Sequence, residues 1–517
     1  MAAGELNTTV VIVGAGPTGL SLAAQLIRYD IDFIILEKRA GASKFSKAIA
    51  VQARSLEILD EIGLADKAIA SGRIITDLNV FEKGKRKAQI YLEGLGKGIS
   101  EFHFALSLAQ DETERLLLKY LETHFIQVKW NSQYSHHESS GVGVKVFYTD
   151  HEGEECCVNA GYIVGADGAG SRVREQLGLG FGGDTVPKLF YVADVQLRSW
   201  LISESKIYMF LIKQGFILFI PMLGKQNYRV VGILPNAGKK EEDIHFEELE
   251  PFIKENVAVP VDFTKINWFS TYKVHTRKAK TFIRKNGFIA GDAAHIHTPA
   301  GGQGMNTGIQ DAYNLAWKIA LFSKGQVNRK VLESYDYERE KNAVHLLRTT
   351  DRIFDFMAGT SWVWNFIRLK IFPLLASFIS GRPRFNRFFF PLISQTAISY
   401  SGSYLTVKSR IEKVKAGVRM PYFVFKNGSS IFEYLDKPQF QLLFFGKEGK
   451  ARFEKLQRTH VPISCLSFSE IPREIFKKNA NFYVLLRPDN HISYLGKKLK
   501  VINAFLNSIN PSEEKNK

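Results

Sequence analysis

The beginning of the chain has two short apolar runs, with a glycine-rich turn and an amphipathic stretch between them. The first run, from Val10 to Val13, predicts a buried parallel strand, because such strands are covered on both faces. Apolar residues then recur at helical spacing from Leu20 to Ile27, and a second apolar run from Phe33 to Leu36 ends at Glu37. The pattern therefore predicts a strand, a tight turn, a helix and a second strand.

Farther along, the pattern predicts a second kind of sheet. From about 185 to 275 the segments become short, alternating and aromatic, which predicts an antiparallel sheet inserted into the first domain. A strand at 287–290 and a helix from Thr307 to about Ser323 return the chain to that domain. Beyond a basic, aromatic helical stretch at 330–400, strands near 439–445 and 481–487 predict a further unit.

These segments predict an α/β fold class with four parts. Residues 1–184 form a Rossmann-like domain, which also supplies strands near 74–100 to the inserted sheet. Residues 185–275 form that antiparallel sheet, residues 276–400 the returning segment and helical region, and residues 401–517 a C-terminal α/β domain. A chain of 517 residues is too long for one hydrophobic core, which agrees with this division.

Composition disfavours several classes of protein. The formal charge is +17, but the Lys and Arg residues are scattered instead of forming one stripe, so nucleic-acid binding is not predicted. The three cysteines, Cys156, Cys157 and Cys465, form no CxxC pair. This sparse pattern disfavours a zinc site or a disulfide framework and favours the reducing cytoplasm.

No apolar run reaches the roughly 20 residues that a transmembrane helix needs. The nearest candidate, Trp362 to Ile379, is interrupted by Arg368, Lys370 and Pro373. We interpret it as an amphipathic helix that packs against the protein, in preference to one that lies on a membrane surface. Stable membrane insertion is therefore not predicted.

A GxGxxG motif, Gly14 to Gly19, occupies the predicted turn. The first two glycines let the backbone approach a pyrophosphate, and the third lets the helix pack on the strand. Glu37, at the end of the next strand, can accept hydrogen bonds from ribose hydroxyls, and an acidic residue there disfavours a 2′-phosphate. The arrangement predicts a site for FAD or NAD.

Two further glycine-rich segments follow predicted strands. Gly165 to Gly168 contains Asp167 and is weak evidence alone, because Asp-Gly pairs are common in turns. The segment from Gly291 to Ala320 joins Asp292 at a strand end to a run of glycines and a helix. Asp292 is placed to accept hydrogen bonds from a ribityl chain, and the start of the helix directs unpaired N–H groups toward a reduced flavin. Together the segments predict a flavin site.

With these three segments, the chain resembles the single-component FAD-dependent aromatic hydroxylases, which include p-hydroxybenzoate and phenol hydroxylases. The resemblance covers about residues 8–350 and rests on GxGxxG, VGADGAGSRVR and GDAAHIHTPAGGQGMNTGIQDAYNLAWKIA. More weakly, AGVRMP at 416–421 and LLRPDNHISY at 485–494 resemble the thioredoxin-like C-terminal domain of the phenol and polyketide hydroxylase branch. That domain lacks CxxC here, so we expect a structural or dimerisation role and predict that it is dispensable for flavin chemistry.

The resemblance implies a set of cofactor-binding residues. Arg54, in QARSLEIL, and Gln110, in SLAQDETERLL, match family positions near FAD. The family commonly has an arginine where this chain has Lys47, which keeps the charge but loses the planar guanidinium fork. The residues expected at FAD are Gly14, Gly16, Pro17, Thr18, Gly19, Glu37, Lys38, Lys47, Arg54, Gln110, Asp167, Asp292, Pro299, Gly302, Gly304, Met305 and Asn306.

The resemblance also implies an activity. A transiently bound NADPH or NADH reduces FAD, and the reduced flavin reacts with O2 to give a C4a-hydroperoxide that hydroxylates a small phenolic or polyketide-like aromatic substrate. Two alternatives stay open: a ubiquinone-pathway or antibiotic-inactivating oxygenase of the same fold, and a FAD-bound binding protein without turnover. A homodimer is expected.

The motifs identify no catalytic side chain. His295, Pro299 and Tyr208 are weak candidates, and His297 can join His295 in a proton relay, although ordering of the loop is the first role expected of His295. Aromatic residues of the inserted sheet are candidate walls for the substrate, although packing within the sheet is the commoner role of such side chains. These residues are Tyr191, Tyr208, Phe210, Phe216 and Phe219.

Overall fold

The computed structural model describes residues 6–43, 48–141, 143–213, 215–234, 244–298, 301–359, 361–379, 382–447, 451, 453–476 and 481–511. Its helices are α1 (Pro17–Arg28), α2 (Ala53–Asp60), α3 (Ala65–Ala70), α4 (Gln110–Thr123), α5 (Arg172–Gln176), α6 (Phe246–Val257), α7 (Gly304–Ser323), α8 (Arg329–Ala358), α9 (Trp362–Phe366), α10 (Phe372–Ile379), α11 (Pro383–Ile393), α12 (Arg473–Phe476) and α13 (Leu499–Ile509). A π-helical turn, Ile367–Ile371, joins α9 to α10.

The strands are distributed over three larger sheets and two small ones. Their bounds are β1 (Leu6–Val13), β2 (Phe33–Leu36), β3 (Ala50–Val51), β4 (Arg73–Ile75), β5 (Asp77–Glu82), β6 (Lys85–Tyr91), β7 (Ala105–Ser107), β8 (Gln133–Ser139), β9 (Val144–Thr149), β10 (Glu155–Gly165), β11 (Phe181–Arg198), β12 (Lys206–Ile212), β13 (Gly215–Pro221), β14 (Asn227–Ile233), β15 (Asp262–Ala279), β16 (Ile283–Arg284), β17 (Gly287–Ile289), β18 (His295–Ile296), β19 (Arg410–Ile411), β20 (Val414–Lys415), β21 (Phe440–Phe445), β22 (Ile463–Phe468), β23 (Phe482–Leu486) and β24 (Ile492–Gly496).

The first sheet contains the predicted strand, turn, helix and strand. β1 pairs in parallel with β2 on one side and with β10 on the other, and β10 pairs in parallel with β17. The apolar run from Val10 to Val13 is buried, as expected for a strand covered on both faces. Because the carboxyl ends of these parallel strands share one edge, Glu37, Asp167 and Asp292 are brought to the same side of the sheet.

The second sheet has eight strands in the order β18-β15-β11-β14-β13-β12-β5-β6. Strands β5 and β6, which come from the first part of the chain, form one end of this sheet. Helix α6 lies over one face and buries Phe246, Leu249 and Ile253 there. The opposite face lies toward the first domain. There the Arg229 guanidinium donates to the carbonyl of Ala48 at 3.0 Å.

The start of helix α7 differs from the sequence prediction. The helix begins at Gly304 and not at Thr307, and Gln303 precedes it. The Thr307 N–H already donates to the Gln303 carbonyl at 2.9 Å, and the Thr307 hydroxyl donates to the same oxygen. The sequence obscures this start because two glycines, normally poor helix formers, fall within the first two turns.

The C-terminal unit contains a four-stranded sheet in the order β22-β21-β23-β24, with strands close to the predicted positions. One face of β21 contributes Phe440, Leu442 and Phe444 to the main core, while Leu443 and Phe445 face a separate core formed within the unit. The C-terminal sheet is therefore continuous with the hydrophobic core of the first domain. Its assignment as thioredoxin-like stays a prediction.

No helix in the described part of the chain is both long and apolar enough to cross a membrane. Helix α8 is the longest, but it carries charged residues along its length. The stretch from Trp362 to Ile379 is divided by the π-helical turn.

Candidate functional site

The turn after β1 holds three chain segments in contact. Gly14 has a φ of +106°, and a Cβ there would clash with the backbone carbonyl of Ala166. A Cβ on Gly19 would clash with the Gly14 carbonyl oxygen. These two glycines therefore permit close packing of the turn, α1 and the loop after β10. Gly14 is the residue that contacts this loop.

Gly16 differs from its two neighbours in the motif. A Cβ built at this position would meet no protein atom within 4 Å. Gly16 is also the residue that precedes α1, and Pro17 occupies the first helical position, where its missing N–H costs nothing. The N-terminus of α1 thus faces open space, which is the arrangement that accommodates a phosphate group.

Glu37 lies beneath the turn, at the end of β2. Its carboxylate accepts from the Ala15 N–H at 2.8 Å and from the Arg39 N–H at 3.0 Å, and it pairs with the Arg39 guanidinium. Burial alone would raise the pKa of Glu37, but the hydrogen bonds from Arg39 and Ala15 lower it overall. The residue is therefore an ionised acceptor at neutral pH. Lys38, which follows it, is exposed.

Thr18 connects the turn to the segment that begins at Gly291. A Cβ on either Gly291 or Gly308 would clash with the Thr18 hydroxyl oxygen, so the side chain lies between these two glycines. Gly291 also has a φ of +61°. Thr18 therefore positions the loop and α7 relative to α1, which is a packing role in addition to the cofactor-binding role predicted for it.

Asp292 follows β17, at the carboxyl-end edge of the first sheet. Its side chain is exposed to solvent, although the surrounding protein still raises its pKa, an effect of desolvation that the nearby His295 partly offsets. Within the residues that the structure describes, no group donates a hydrogen bond to this carboxylate. Asp292 is thus available to accept hydrogen bonds from a ligand, and its role at the ribityl chain stays a prediction.

The support beneath Asp292 was missed by the sequence analysis. Asp311 is fully buried in α7 and accepts from the Gly291 N–H at 2.9 Å, His295 Nε2 at 2.8 Å and Arg339 Nε at 2.5 Å. Burial would raise the pKa of Asp311, but Arg339 and His295 lower it to about 2. The only signal in the sequence was a charged residue on the apolar face of a predicted helix, since Arg339 lies 28 residues away.

The glycine-rich loop before α7 packs against the segment at 50–52. The Asn306 amide accepts from the Gln52 N–H at 2.8 Å and donates to the carbonyls of Ala50 and Gly302. Gly302 has a φ of +61°, and a Cβ there would lie 2.9 Å from the Ala50 Cβ. Asn306 therefore holds the loop in place through all of its polar atoms. Met305 is half-buried against the core, and Gly304 starts the helix.

Three other predicted cofactor residues make contacts within the protein. Arg54 is buried, pairs with Glu57 at 3.0 Å and donates to the Asp489 carbonyl at 2.9 Å. Gln110 donates to Glu114 at 2.9 Å. Asp167 accepts from Ser171 Oγ at 2.5 Å and from the Val173 N–H. The second bond satisfies an N–H group in the first turn of α5. Burial raises the pKa of Asp167. A role for these residues at FAD stays a prediction, as does that of Lys47 and Pro299, which lie outside the described residues.

The two histidines of the loop have different environments. His295 stacks against Phe282 and uses Nε2 to bind Asp311, as expected for a residue that orders the loop. Burial lowers the pKa of His297 to about 4, so its imidazole is neutral at pH 7. Its Nδ1 donates to the Thr298 carbonyl at 2.7 Å. The Nε2 of His297 and the Nδ1 of His295 both have no partner among the described residues, so each ring keeps one nitrogen for contact with a ligand.

The two faces of the eight-stranded sheet differ in how completely they are covered. Four of the predicted wall residues lie on the face that α6 covers, and only Phe216 lies on the face toward the first domain. Tyr208 packs on Phe81, and its hydroxyl donates to the Leu201 carbonyl and accepts from the Ser203 N–H. The structure therefore does not bring Tyr208 together with the other predicted site residues. The four residues on the covered face are Tyr191, Tyr208, Phe210 and Phe219.

On the face toward the first domain, a row of apolar side chains is only partly covered. Met209 pairs across the strands with Leu218, and Leu218 pairs with Val231; all three are half-buried. One ion pair interrupts this surface, in which Arg229 binds both oxygens of Asp194 at 2.7 and 2.8 Å. Sequence alternation could separate the two faces but not tell which one α6 covers.

Taken together, the open space at Gly16, the ionised Glu37 and the unpartnered Asp292 carboxylate fit FAD. A pyrophosphate needs backbone that carries no side chains at a helix N-terminus, and both ribose and ribityl hydroxyls need acceptors. These three positions lie at one edge of the first sheet, as its strand order requires. No cluster of side chains suited to a metal ion occurs in the described part of the chain.

Substitution of Gly16 and of Gly14 is expected to have different consequences. Gly16→Val should leave the protein folded but without FAD, because its side chain enters the open space and contacts no protein atom. Gly14→Val should destabilise the fold itself, because of the clash with Ala166 and the positive φ. The flavin absorbance per protein and the denaturant midpoint distinguish the two outcomes. Full flavin content in Gly16→Val would contradict this assignment.

Comparison with known proteins identifies relatives over most of the chain. A model of the family described as FAD binding domain matches residues 7–350. An uncharacterised aromatic compound monooxygenase of Bacillus subtilis is 29% identical over 94% of this chain and 93% of its own. The 6-methylpretetramide 4-monooxygenase of Streptomyces rimosus is 28% identical over 95% of this chain and 91% of its own. A flavin-dependent monooxygenase crystallised with FAD and substrate has the same fold, with a TM-score of 0.82 at 21% identity over 98% of this chain and 99% of its own.

Proposed function

The chain belongs to the FAD binding domain family, and from this premise we propose that it hydroxylates a phenolic or polyketide-like aromatic substrate held against the partly covered face of the eight-stranded sheet. It is a FAD-dependent monooxygenase that uses O2 and NAD(P)H, as the resemblance implied. Relatives named as an aromatic compound monooxygenase and a 6-methylpretetramide 4-monooxygenase support the substrate class.

The proposed location of the substrate is supported by one feature of the sheet. The half-buried row Met209, Leu218 and Val231 is an apolar surface inside the molecule, and it faces the domain that holds the flavin residues. An aromatic ring fits such a surface because burial of apolar area favours binding. Arg229 is neutralised by Asp194, so this pair adds polarity without net charge.

The roles of the protein side chains follow from their contacts. When bound, FAD supplies the hydride acceptor and the group that activates oxygen. Asp292 and Glu37 orient it by accepting hydrogen bonds, and Asp311 keeps the loop at Gly291 in place. The N-terminus of α7 provides a partial positive charge. The neutral His297 can accept a proton or a hydrogen bond at Nε2.

The proposed activity is tested with the FAD-loaded protein and a panel of phenols and aromatic polyketides. A substrate is expected to stimulate NADPH or NADH oxidation and to yield a product heavier by one oxygen atom. The panel must contain compounds of different size, because the sheet face limits the width of the ligand. If no compound stimulates NAD(P)H oxidation and no compound is hydroxylated, the substrate class is wrong.

The location of the substrate is tested separately at Leu218. We expect Leu218→Phe to raise the KM for a bulky substrate roughly 10-fold, because the larger side chain fills space on the partly covered face. FAD content should not change. Ile217→Val, on the face covered by α6, is the matched control and should leave the KM unaltered. An unchanged KM in Leu218→Phe would place the substrate elsewhere.

Replacement of Asp292 tests its role at the flavin. Asp292→Asn keeps the shape but replaces one acceptor oxygen with an amide donor, so FAD should bind roughly 10 to 100 times more weakly. FAD titration by fluorescence measures this change. Asp32→Asn, at an exposed carboxylate at the other end of the first sheet, is the control and should bind FAD normally. Equal affinity in the two variants would remove Asp292 from the site.

A further inference from the structure

The stretch from Trp362 to Ile393 exposes an unusual number of large apolar side chains. Trp362 is 79% exposed, Leu374 75%, Phe378 63% and Phe388 75%. In α9, the π-helical turn and α10, the exposed residues recur at the spacing of one helix face. The amphipathic pattern predicts that this stretch packs against the protein, but this face does not pack. The exposed apolar set, here called the apolar ridge, is Trp362, Val363, Phe366, Ile371, Leu374, Leu375, Phe378 and Phe388.

The orientation of the apolar ridge is fixed by contacts on the opposite side. Arg368 is fully buried and donates to the carbonyls of Met357 at 2.7 Å and Gly359 at 3.1 Å, and also to Ile212 at the end of β12. Helix α10 packs against β6. Because Arg368 satisfies several backbone carbonyls, rotation of the helix to bury the apolar ridge would break these hydrogen bonds. The ridge is therefore a built surface.

The charged residues within this stretch all have one sign. Residues 361–393 contain Arg368, Lys370, Arg382, Arg384 and Arg387 and no acidic residue. Lys370, Arg382 and Arg387 are exposed. The Arg382 guanidinium lies 3.7 Å from the centre of the Phe378 ring, so one cation sits directly at the edge of the apolar surface. Strand β6, on which α10 packs, adds the exposed Lys85 and Arg86.

From this surface we infer that the protein docks reversibly on an anionic lipid membrane through the apolar ridge. Exposed Trp, Leu and Phe side chains on a helix insert into the boundary between headgroups and acyl chains, while surrounding Lys and Arg contact the anionic headgroups. The combination of these two features favours lipid over a second copy of the chain, whose ridge would bring the same cations into repulsion. Docking of this kind needs no membrane-spanning helix.

Sedimentation with lipid vesicles tests the inference on the full-length, FAD-loaded protein. We expect binding to vesicles of phosphatidylcholine with about 30% phosphatidylglycerol, weak binding to pure phosphatidylcholine, and a decrease with salt as the charges are screened. Leu374→Gln/Phe378→Gln should lower the partition coefficient at least roughly 10-fold. The control, Phe125→Gln/Trp200→Gln, changes side chains that are 95% and 81% exposed elsewhere and should bind normally.

A charge variant distinguishes docking on anionic lipid from nonspecific hydrophobic adsorption. Lys370→Ser/Arg382→Ser/Arg387→Ser should lose on the order of 100-fold in binding to anionic vesicles. Unchanged FAD content and unfolding midpoint verify that each variant is folded. The inference is overturned if the protein binds no vesicles, or binds neutral and anionic vesicles equally. It is also overturned if light scattering shows a dimer that Leu374→Gln/Phe378→Gln dissociates, since a second copy would then cover the apolar ridge.

Discussion

A chain that ends after residue 400 is expected to lose the folded FAD-binding domain, contrary to the sequence prediction that the C-terminal unit is dispensable for flavin chemistry. The reason is a buried charge cluster that spans the two units. Glu338 in α8 is fully buried and accepts from Arg487 at 2.5 and 2.9 Å, from Lys318 at 2.7 Å and from Ser403 at 2.5 Å. Truncation removes Arg487 and Ser403 and leaves a buried carboxylate with fewer partners.

The loss has a charged and an apolar component. Breaking a buried ion pair costs about 3 to 5 kcal/mol. The fully buried Trp317 also loses the edge-to-face contact with Phe440, whose ring centre lies 5.9 Å away, and each such side chain contributes about 1.5 to 3 kcal/mol when buried. Domains have only about 5 to 15 kcal/mol of stability in total, so the truncated chain should unfold.

Soluble yield, near-ultraviolet circular dichroism and flavin content measure the effect of truncation. A chain that ends at Pro511 is the control, because it keeps every residue that forms these contacts, and it should bind FAD normally. Arg487→Met then isolates the charged component within the full-length chain. If the chain ending at residue 400 were folded and its flavin were reduced by NAD(P)H, the sequence prediction would be correct and the coupling described here wrong.

Asp311→Asn is expected to destabilise the protein by about 3 to 5 kcal/mol and to weaken FAD binding. The neutral amide leaves the Arg339 guanidinium buried without a counter-ion, and it weakens the acceptor for the Gly291 N–H. Glu333→Gln is the matched control on α8, because the pair that Glu333 forms with Arg329 at 2.9 Å is exposed. Such pairs contribute about 0 to 1 kcal/mol. Equal unfolding midpoints for the two variants would contradict the prediction.

The same carboxylate gives the stability a defined dependence on pH. The pKa of Asp311 is about 2 in the folded protein, below the ordinary value of 3.8, so the folded state favours the ionised form. Its contribution, about 2.5 kcal/mol, is fully present above pH 4 to 5 and is lost as the pH falls toward 2. Denaturant unfolding across this range should show a smaller decrease in stability for Asp311→Asn than for the wild-type protein.

The local elements of the first domain could be predicted because each is encoded by neighbouring residues. The apolar runs at β1 and β2, the turn at Gly14 and the acidic residue Glu37 lie within thirty residues of one another, and strand order then brings Asp292 to the same edge. The resemblance to aromatic hydroxylases rested on these segments, and the family match confirms it. The cofactor and the class of activity were therefore available from the sequence.

The sequence could not decide which faces are covered. Alternation along β12 and β13 separates Tyr208 and Phe219 from Met209 and Leu218, but only the position of α6 shows that the second pair is the one left partly open. The sequence of the helical stretch at 362–379 likewise did not show whether its apolar face is covered. Its amphipathic pattern predicts an apolar face in contact with something, and the buried Arg368 directs that face outward.

By itself, the sequence determined the strand, turn and helix at which we propose that FAD binds, because glycine spacing and hydrophobic periodicity act through local backbone geometry. Only the tertiary structure decided the partners of Asp311 and Glu338, which come from residues tens to more than a hundred positions away. It also decided that the C-terminal sheet shares the main core and that the apolar ridge is exposed. The physical reason is that buried charges and covered faces depend on long-range packing, which one chain segment does not specify.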